Sequence, residues 1–214
     1  MNVVIGTAHD EKYDELAAIT FPTVQRYADK HGYTLSYNPR IDPVDADACK
    51  AKMFLSLYAT GQYAADDVFM WIDTDALVMN SEKTLDVFNW ERAADAHFLW
   101  GFDYNGPNSG VWFARFSSQA AHYVQVYNNT AQAMGWGDQE AMVQKMLVPP
   151  FAEWVACIPG KFFNCYPYHL HGRADWAHKN EINNYEPGDF ILHAAGMESE
   201  MRLRVLREYA ALAT

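Results

Sequence analysis

Short, wholly apolar runs alternate with longer stretches whose apolar residues recur every third or fourth position, a pattern that predicts buried strands between amphipathic helices. The run Val3-Val4-Ile5 stops at Gly6-Thr7 and reads as a strand covered on both faces. From Asp14 to His31, Leu16, Ile19, Val24, Tyr27 and Ala28 keep helical spacing, with Pro22 expected to kink or divide the helix and Gly32 to close it. Thr34 to Tyr37 alternates like a second strand, which completes a parallel βαβ unit. A helix is predicted over Lys50 to Tyr58, followed by the most apolar strand of the chain, Val68 to Ile72. Two further strands, Phe98 to Phe102 and Val111 to Ala114, are joined by an expected loop over Asp103 to Gly110. Helices follow at Ser118 to Met134 and Asp138 to Met146, strand-like pieces at Val155 to Ile158 and Phe190 to Leu192, and a last helix at Glu198 to Leu212. No internal repeat or linker interrupts them, so the reading is one mixed α/β domain over residues 1–214.

Composition narrows the function. Sixteen Lys and Arg against twenty-seven Asp and Glu leave a net charge of −11, a field that repels nucleic-acid phosphates. A small anion can be accommodated only where a bound cation or a local Lys or Arg reverses the sign. Cys49, Cys157 and Cys165 form no C-x-x-C pair, and their odd number suits reduced thiols and a cytoplasmic setting. The first residues carry no signal-peptide pattern, and no run reaches the roughly eighteen apolar residues of a membrane span. Asn128-Asn129-Thr130 matches a glycosylation acceptor, read here as a chance match.

The sharpest chemical feature is Asp73-Thr74-Asp75 at the carboxyl end of the most apolar strand. Carboxylates at i and i+2 project from one side of an extended chain, and open α/β sheets meet their ligands just beyond their strand ends. Two acids there repel each other unless a cation lies between them, and hard oxygen ligands suit Mg²⁺ or Mn²⁺ carrying a diphosphate. The plainer reading is a pair of turn-forming acids. His193 ends another apolar strand and is followed by Ala194-Ala195-Gly196; it could be a third ligand or a core histidine. Lys50 and Lys52 open a helix, and either could reach a diphosphate or stay solvated. Asp138 is an N-cap or a base, with Gln139 beside it, and Asn108-Ser109-Gly110 is a tight turn or a set of sugar-binding groups. The aromatic, His-containing stretch from Tyr166 to His178 reads as a surface loop or lid, and less well as a second metal site.

In order along the chain, a strand ending in a small-residue turn, a basic helix, D-x-D, N-S-G, D-Q and a late H-x-x-G resemble GT-A glycosyltransferases. The pattern is similar to the galactosyl/xylosyl-transferase family of the yeast mannan and plant xyloglucan enzymes. The resemblance implies a nucleotide-binding part over about residues 1–115 and an acceptor-side part over about 116–214. It implies a UDP-sugar donor, a hexose or deoxyhexose as the transferred group and a glycan or glycoprotein acceptor. It assigns Asp73, Asp75 and His193 to Mn²⁺ or Mg²⁺, and Asp73 also to the ribose. Gly6, Thr7 and Ala8 would border the nucleoside, Lys52 rather than Lys50 and Gly196 the diphosphate, and Asn108 and Ser109 the donor sugar. Asp138, Gln139 and Asp103 would be catalytic. The chain departs from the pattern at Gly137, where an acid often precedes D-Q, and at Met197 and Glu198, where a lysine tends to follow H-x-x-G. Its compactness looks like a viral or bacterial form. An aspartyl phosphatase resembles this chain less, since Leu77 stands where D-x-D-x-T requires Thr; a non-catalytic sugar-binding module is the rival from another class.

Overall fold

The computed structural model describes residues 1–46, 48–86, 93–135 and 137–214. The first half of the chain runs β1 (Val3–Ala8), α1 (Asp14–His31), β2 (Thr34–Asn38), α2 (Cys49–Ala59), β3 (Val68–Ile72), β4 (Ala76–Val78), β5 (Phe98–Asp103) and β6 (Gly106–Arg115). The second half runs α3 (Ser118–Met134), α4 (Asp138–Met146), α5 (Phe151–Trp154), β7 (Val155–Pro159), α6 (Ala174–Lys179), β8 (Ile191–His193) and α7 (Ser199–Ala210).

Strands β1 and β3 are buried at every position, as a strand with helices on both faces must be. They lie side by side in a six-stranded sheet of order β2-β1-β3-β6-β5-β7, in which β6 alone opposes the other strands. On one face, Val24, Tyr27 and Ala28 of α1 pack with Val3, Ile5, Val68 and Met70. The other face is aromatic: Phe54 of α2 meets Phe69 at 5.4 Å between ring centroids, and Phe98 stacks on Trp112 at 4.9 Å. Rings of this size supply much of the burial energy of a chain this short. A third cluster forms where the β4–β8 ribbon packs Leu77 and Leu192 against Val205, Leu206 and Tyr209 of α7.

Two local expectations are corrected, and one unpredicted strand is added. Pro22 neither ends nor divides α1, which runs unbroken to Gly32 at φ 66°. The missing N–H and ring clash cost about 3 kcal/mol, and packing of α1 on the sheet from Leu16 to Ala28 offsets it. The predicted loop over Asp103 to Gly110 is mostly strand. The chain reverses at Tyr104-Asn105, where Asn105 N–H bonds the Asp103 carboxylate and Gly106 takes φ 105°, so Asn108-Ser109-Gly110 lies within β6. Finally, β4 follows Asp75 at once and pairs antiparallel with β8, which places His193 opposite Ala76. The acidic pair therefore occupies the corner between two buried strands. Among the described residues no helix is long and apolar enough to cross a membrane.

Asp67, 4% exposed, joins the starts of β1 and β3 by accepting from the Asn2 and Ala64 backbone N–H groups and the Asn2 amide. Burial pushes its carboxyl up, but these donors outweigh burial and hold it below the ordinary value. A depressed carboxyl contributes stability above its unfolded pKa and loses it as pH falls through the folded one. Asp67→Asn is expected to cost about 1–3 kcal/mol at neutral pH. In urea titrations the gap from wild type should close once the pH falls below the carboxylate range.

Candidate active site

The corner after β3 is pinned by its own backbone. Asp73 N–H bonds Gly110 O at 2.8 Å, Ala76 N–H bonds Asp73 O at 3.1 Å, and Ala194 N–H bonds Asp75 O at 2.9 Å. Thr74 turns away, its hydroxyl donating to Ala8 O and its carbonyl accepting from Thr20. Asp73 and Asp75 thereby face one cavity of about 300 Å³. Asp75 Oδ1 lies 3.0 Å from His193 Nε2, and its Oδ2 lies 3.3 Å from an Arg202 nitrogen. Asp73 Oδ1 accepts from the Trp71 indole at 2.6 Å.

One ligand atom from each of Asp73, Asp75 and His193 falls within 4.8 Å of the others. Two carboxylate oxygens and an imidazole nitrogen suit Mn²⁺ or Mg²⁺. Neighbouring ligands of an octahedral ion lie about 3 Å apart, the spacing found between Asp75 and His193. His193 is 3% exposed, and its Nδ1 is held at 2.8 Å by Asn164 Oδ1, which as an acceptor leaves Nε2 aimed at Asp75. The residues fit a divalent cation.

Electrostatics separate the two acids. Burial pushes the Asp75 carboxyl up, but His193 and then Arg202 outweigh it and hold the group at about 2. At Asp73 burial prevails, opposed by Lys50 and reinforced by the Asp75 charge, and the pKa is raised. Burial alone would lower the pKa of His193; the Asp75 carboxylate overrides it and raises the group above its ordinary value.

The lysine at the site is Lys50. Its Nζ lies 3.2 Å from Asp73, 2.9 Å from Asp138, and 3.1 and 3.3 Å from the Ser109 carbonyl and hydroxyl oxygens. Burial lowers its pKa, but Asp138 and Asp73 more than compensate and raise it, so it is a fixed cation. Lys52, the residue singled out by the family pattern, is half exposed and paired with Asp45. Residues two apart on a helix differ by about 200° in direction, so only one of the two can face the cavity.

The N-S-G and D-Q segments meet through Ser109 N–H to Gln139 Oε1 at 3.1 Å and Ser109 Oγ to Asp138 Oδ1 at 3.4 Å. Ser109 and Asp138 line the cavity. Asn108 and Asp103 do not line this cavity and belong to the network behind His193. The Asn164 amide donates to Asn108 Oδ1 and to the Tyr166 hydroxyl, which in turn donates to Asp103 at 2.7 Å. Of Gly6, Thr7 and Ala8, only Ala8 lines the cavity. Gly6 is needed for packing, since a Cβ there would come within 2.4 Å of the Phe69 ring and 2.8 Å of Met53 Sδ. Gly196 takes φ 67°, with its carbonyl bound by Arg173. The Tyr166–His178 stretch does not gather metal ligands among the described residues; it braces the strand end, with Tyr168 donating to Ala195 O and Arg173 lying over the Trp176 ring.

Three cavity or support residues escaped the sequence reading. Arg202 lies on α7 in a surface-like helical pattern, Asn164 sits in a stretch with no periodicity, and Asp10 follows β1. Asp10 alone had a signal, as an acid just past a predicted buried strand. A second hollow of about 530 Å³ adjoins the cavity through Ala8, Ile41 and Cys49, and is lined by Tyr37, Asn38 and Lys52.

No family model matches the sequence. An alpha-1,2-galactosyltransferase of Schizosaccharomyces pombe is 23% identical over 217 residues, covering 80% of this chain. The chain spans about half of that relative, 54% of its length. A glycosyltransferase involved in glycosylation of the major capsid of PBCV-1 superposes with a TM-score of 0.72 at 16% identity, covering 97% of this chain and all of that one. The galactosyltransferase LgtC, in complex with donor and acceptor sugar analogs, gives a TM-score of 0.56 at 14% identity over 99% of this chain and 96% of its own. The chain has the GT-A glycosyltransferase fold.

Gly110 tests the site's construction. A Cβ there would lie 2.1 Å from the His193 ring, whose position Asn164 and Asp75 fix. Gly110→Ala is expected to weaken Mn²⁺ binding roughly tenfold or more at a stability cost of about 1–3 kcal/mol. Gly137→Ala, whose Cβ meets nothing within 4 Å, should leave Mn²⁺ titration calorimetry unchanged.

Proposed function

We propose that this chain is a metal-dependent glycosyltransferase that moves a hexose or deoxyhexose from a UDP-sugar to a glycan or glycoprotein acceptor. The observation that carries the reading is the Asp73, Asp75 and His193 cluster at the mouth of a GT-A sheet, with Lys50 joining Asp73 to Asp138. Asp73, Asp75 and His193 would hold Mn²⁺ or Mg²⁺, which when bound supplies positive charge for the diphosphate leaving group. The relatives named above support the transferase class.

The chain's own residues divide the remaining work. The hollow beside Tyr37 and Asn38 receives the nucleoside, and the cavity at Asp73 receives the diphosphate and sugar. Asp138 is paired with Lys50 and faces the transferred sugar, with Gln139 held beside it by Ser109 N–H. Neither of the two acids assigned to catalysis stands free: Asp138 is paired with Lys50, while Asp103 is engaged by Tyr166 and Asn105. That arrangement favours transfer with retention, in which no strong base is required and the carboxylate and amide steady positive charge on the sugar.

Nucleotide release from a panel of UDP- and GDP-sugars, with Mn²⁺, Mg²⁺ or EDTA, tests the proposal. One UDP-sugar should be turned over, slowly to water and faster to an acceptor, with EDTA abolishing the reaction and Asp75→Asn lowering it roughly 100-fold or more. Turnover of no donor together with no metal-dependent UDP binding would refute the reading and favour a sugar-binding module.

A further inference from the structure

The cavity is crowded with acid, since Asp10, Asp73, Asp75 and Asp138 all line it, against two cations, Lys50 and Arg202. An incoming anion needs a cation with donors to spare. Lys50 is already engaged: its ammonium bonds the Ser109 carbonyl and hydroxyl oxygens at 3.1 and 3.3 Å and is ion-paired with Asp138 at 2.9 Å and Asp73 at 3.2 Å. Around the neighbouring hollow, Lys52 is paired with Asp45 and Arg40 with Asp14.

Arg202 is different. Its guanidinium carries five N–H groups. One nitrogen stands 3.3 Å from Asp75 Oδ2, another donates to Met197 O at 2.9 Å, and Nε is buried without a partner. The hold on Asp75 is long and single-pronged, short of the paired bonds that a guanidinium and a carboxylate make at full strength. The backbone beneath it is fixed, because Val205, Leu206 and Tyr209 anchor α7 in the third core. The guanidinium therefore stays at the cavity wall, with the nitrogen that faces Asp75 held by that one long contact.

We propose that Arg202 receives the donor's diphosphate, and that Asp75 parks it until a divalent cation and nucleotide arrive. This rests on the transferase reading and assigns the phosphate contact to α7. Once Asp75 is engaged by a divalent cation, the guanidinium's attraction to Oδ2 weakens and its donors turn to a phosphate oxygen. Arg202 thus opposes the cation in the absence of nucleotide and acts with it once the diphosphate is present.

The opposed signs make the test. In the full chain, Arg202→Gln removes the charge while keeping a group able to bond Met197 O, and Arg202→Lys keeps the charge without the fork. By calorimetry, Arg202→Gln should bind Mn²⁺ alone roughly three- to tenfold more tightly than wild type, because a positive charge has left Asp75. The same variant should bind UDP, at saturating Mn²⁺, roughly 30-fold or more weakly, with uridine affinity unchanged. Arg202→Lys should keep wild-type Mn²⁺ affinity and intermediate UDP affinity. Unchanged UDP affinity in Arg202→Gln would overturn the assignment and leave the transferase reading intact. Joint loss of Mn²⁺ and UDP binding with a lowered melting temperature, unrepaired in Arg202→Lys, would overturn it in favour of a structural role. A wild-type protein that binds Mn²⁺ but no UDP would end both proposals.

Discussion

A buried ammonium requires several oxygens around it, and at Lys50 that requirement ties four elements together. The lysine comes from α2 and is 7% exposed; its oxygens come from the end of β3, from β6 and from the start of α4. Removing one partner of a buried ion pair costs about 3–5 kcal/mol, because the other charge is left uncompensated. The pairing therefore constrains where α2 and α4 can stand relative to the sheet. It also explains how Asp73 and Asp138, two carboxylates of a chain with net charge −11, share one cavity without driving it open.

Much of this was legible from residue patterns, for a physical reason that also marks the limit. Strands β1 and β3 are buried on both faces, so the apolar runs Val3 to Ile5 and Val68 to Ile72 announced them. The corner at Asp73-Thr74-Asp75 was legible because acids directly after such a run have no packing role. Strand β4 was not, since three apolar residues after a turn look like any short connection until β8 pairs with them. Which of Lys50 and Lys52 lines the cavity at Asp73 depended on helix phase, which a residue pattern read without the helix's contacts does not carry. Asn164 and Arg202 left no trace, because their partners lie 29 and 127 positions away, His193 for one and Asp75 for the other.

The support behind His193 illustrates how a polar network can be buried at low cost. Asn164 bonds His193, Asn108 and Tyr166, and Tyr166 bonds Asp103. Each link satisfies a group that would otherwise cost about 1–3 kcal/mol if left unpaired in the interior. The network fixes the direction of one ring nitrogen, which a lone histidine on a strand end could not do. Asp103 and Asn108 thus bear on the site through the imidazole that this network holds.

The two acids of the corner answer to different parts of the chain. Asp73 is compensated by Lys50 and bonded by Trp71, both in the first third of the sequence. Asp75 is compensated by His193 and Arg202, and the asparagine that steadies His193 is residue 164. Thr74, between them, is pinned from behind by Thr20 and by Ala8 O, so neither acid can drift towards its neighbour. The acidic pair therefore sits on a seam, and its second member acquires its charge partners only when β8 and α7 have docked on β4. Because those contacts close loops of more than a hundred residues, the ribbon is expected to form late, after the local βαβ pairings. The Asp73, Asp75 and His193 cluster built this way cannot exist in a partly folded chain, so the cation binding proposed for it is coupled to completion of the fold.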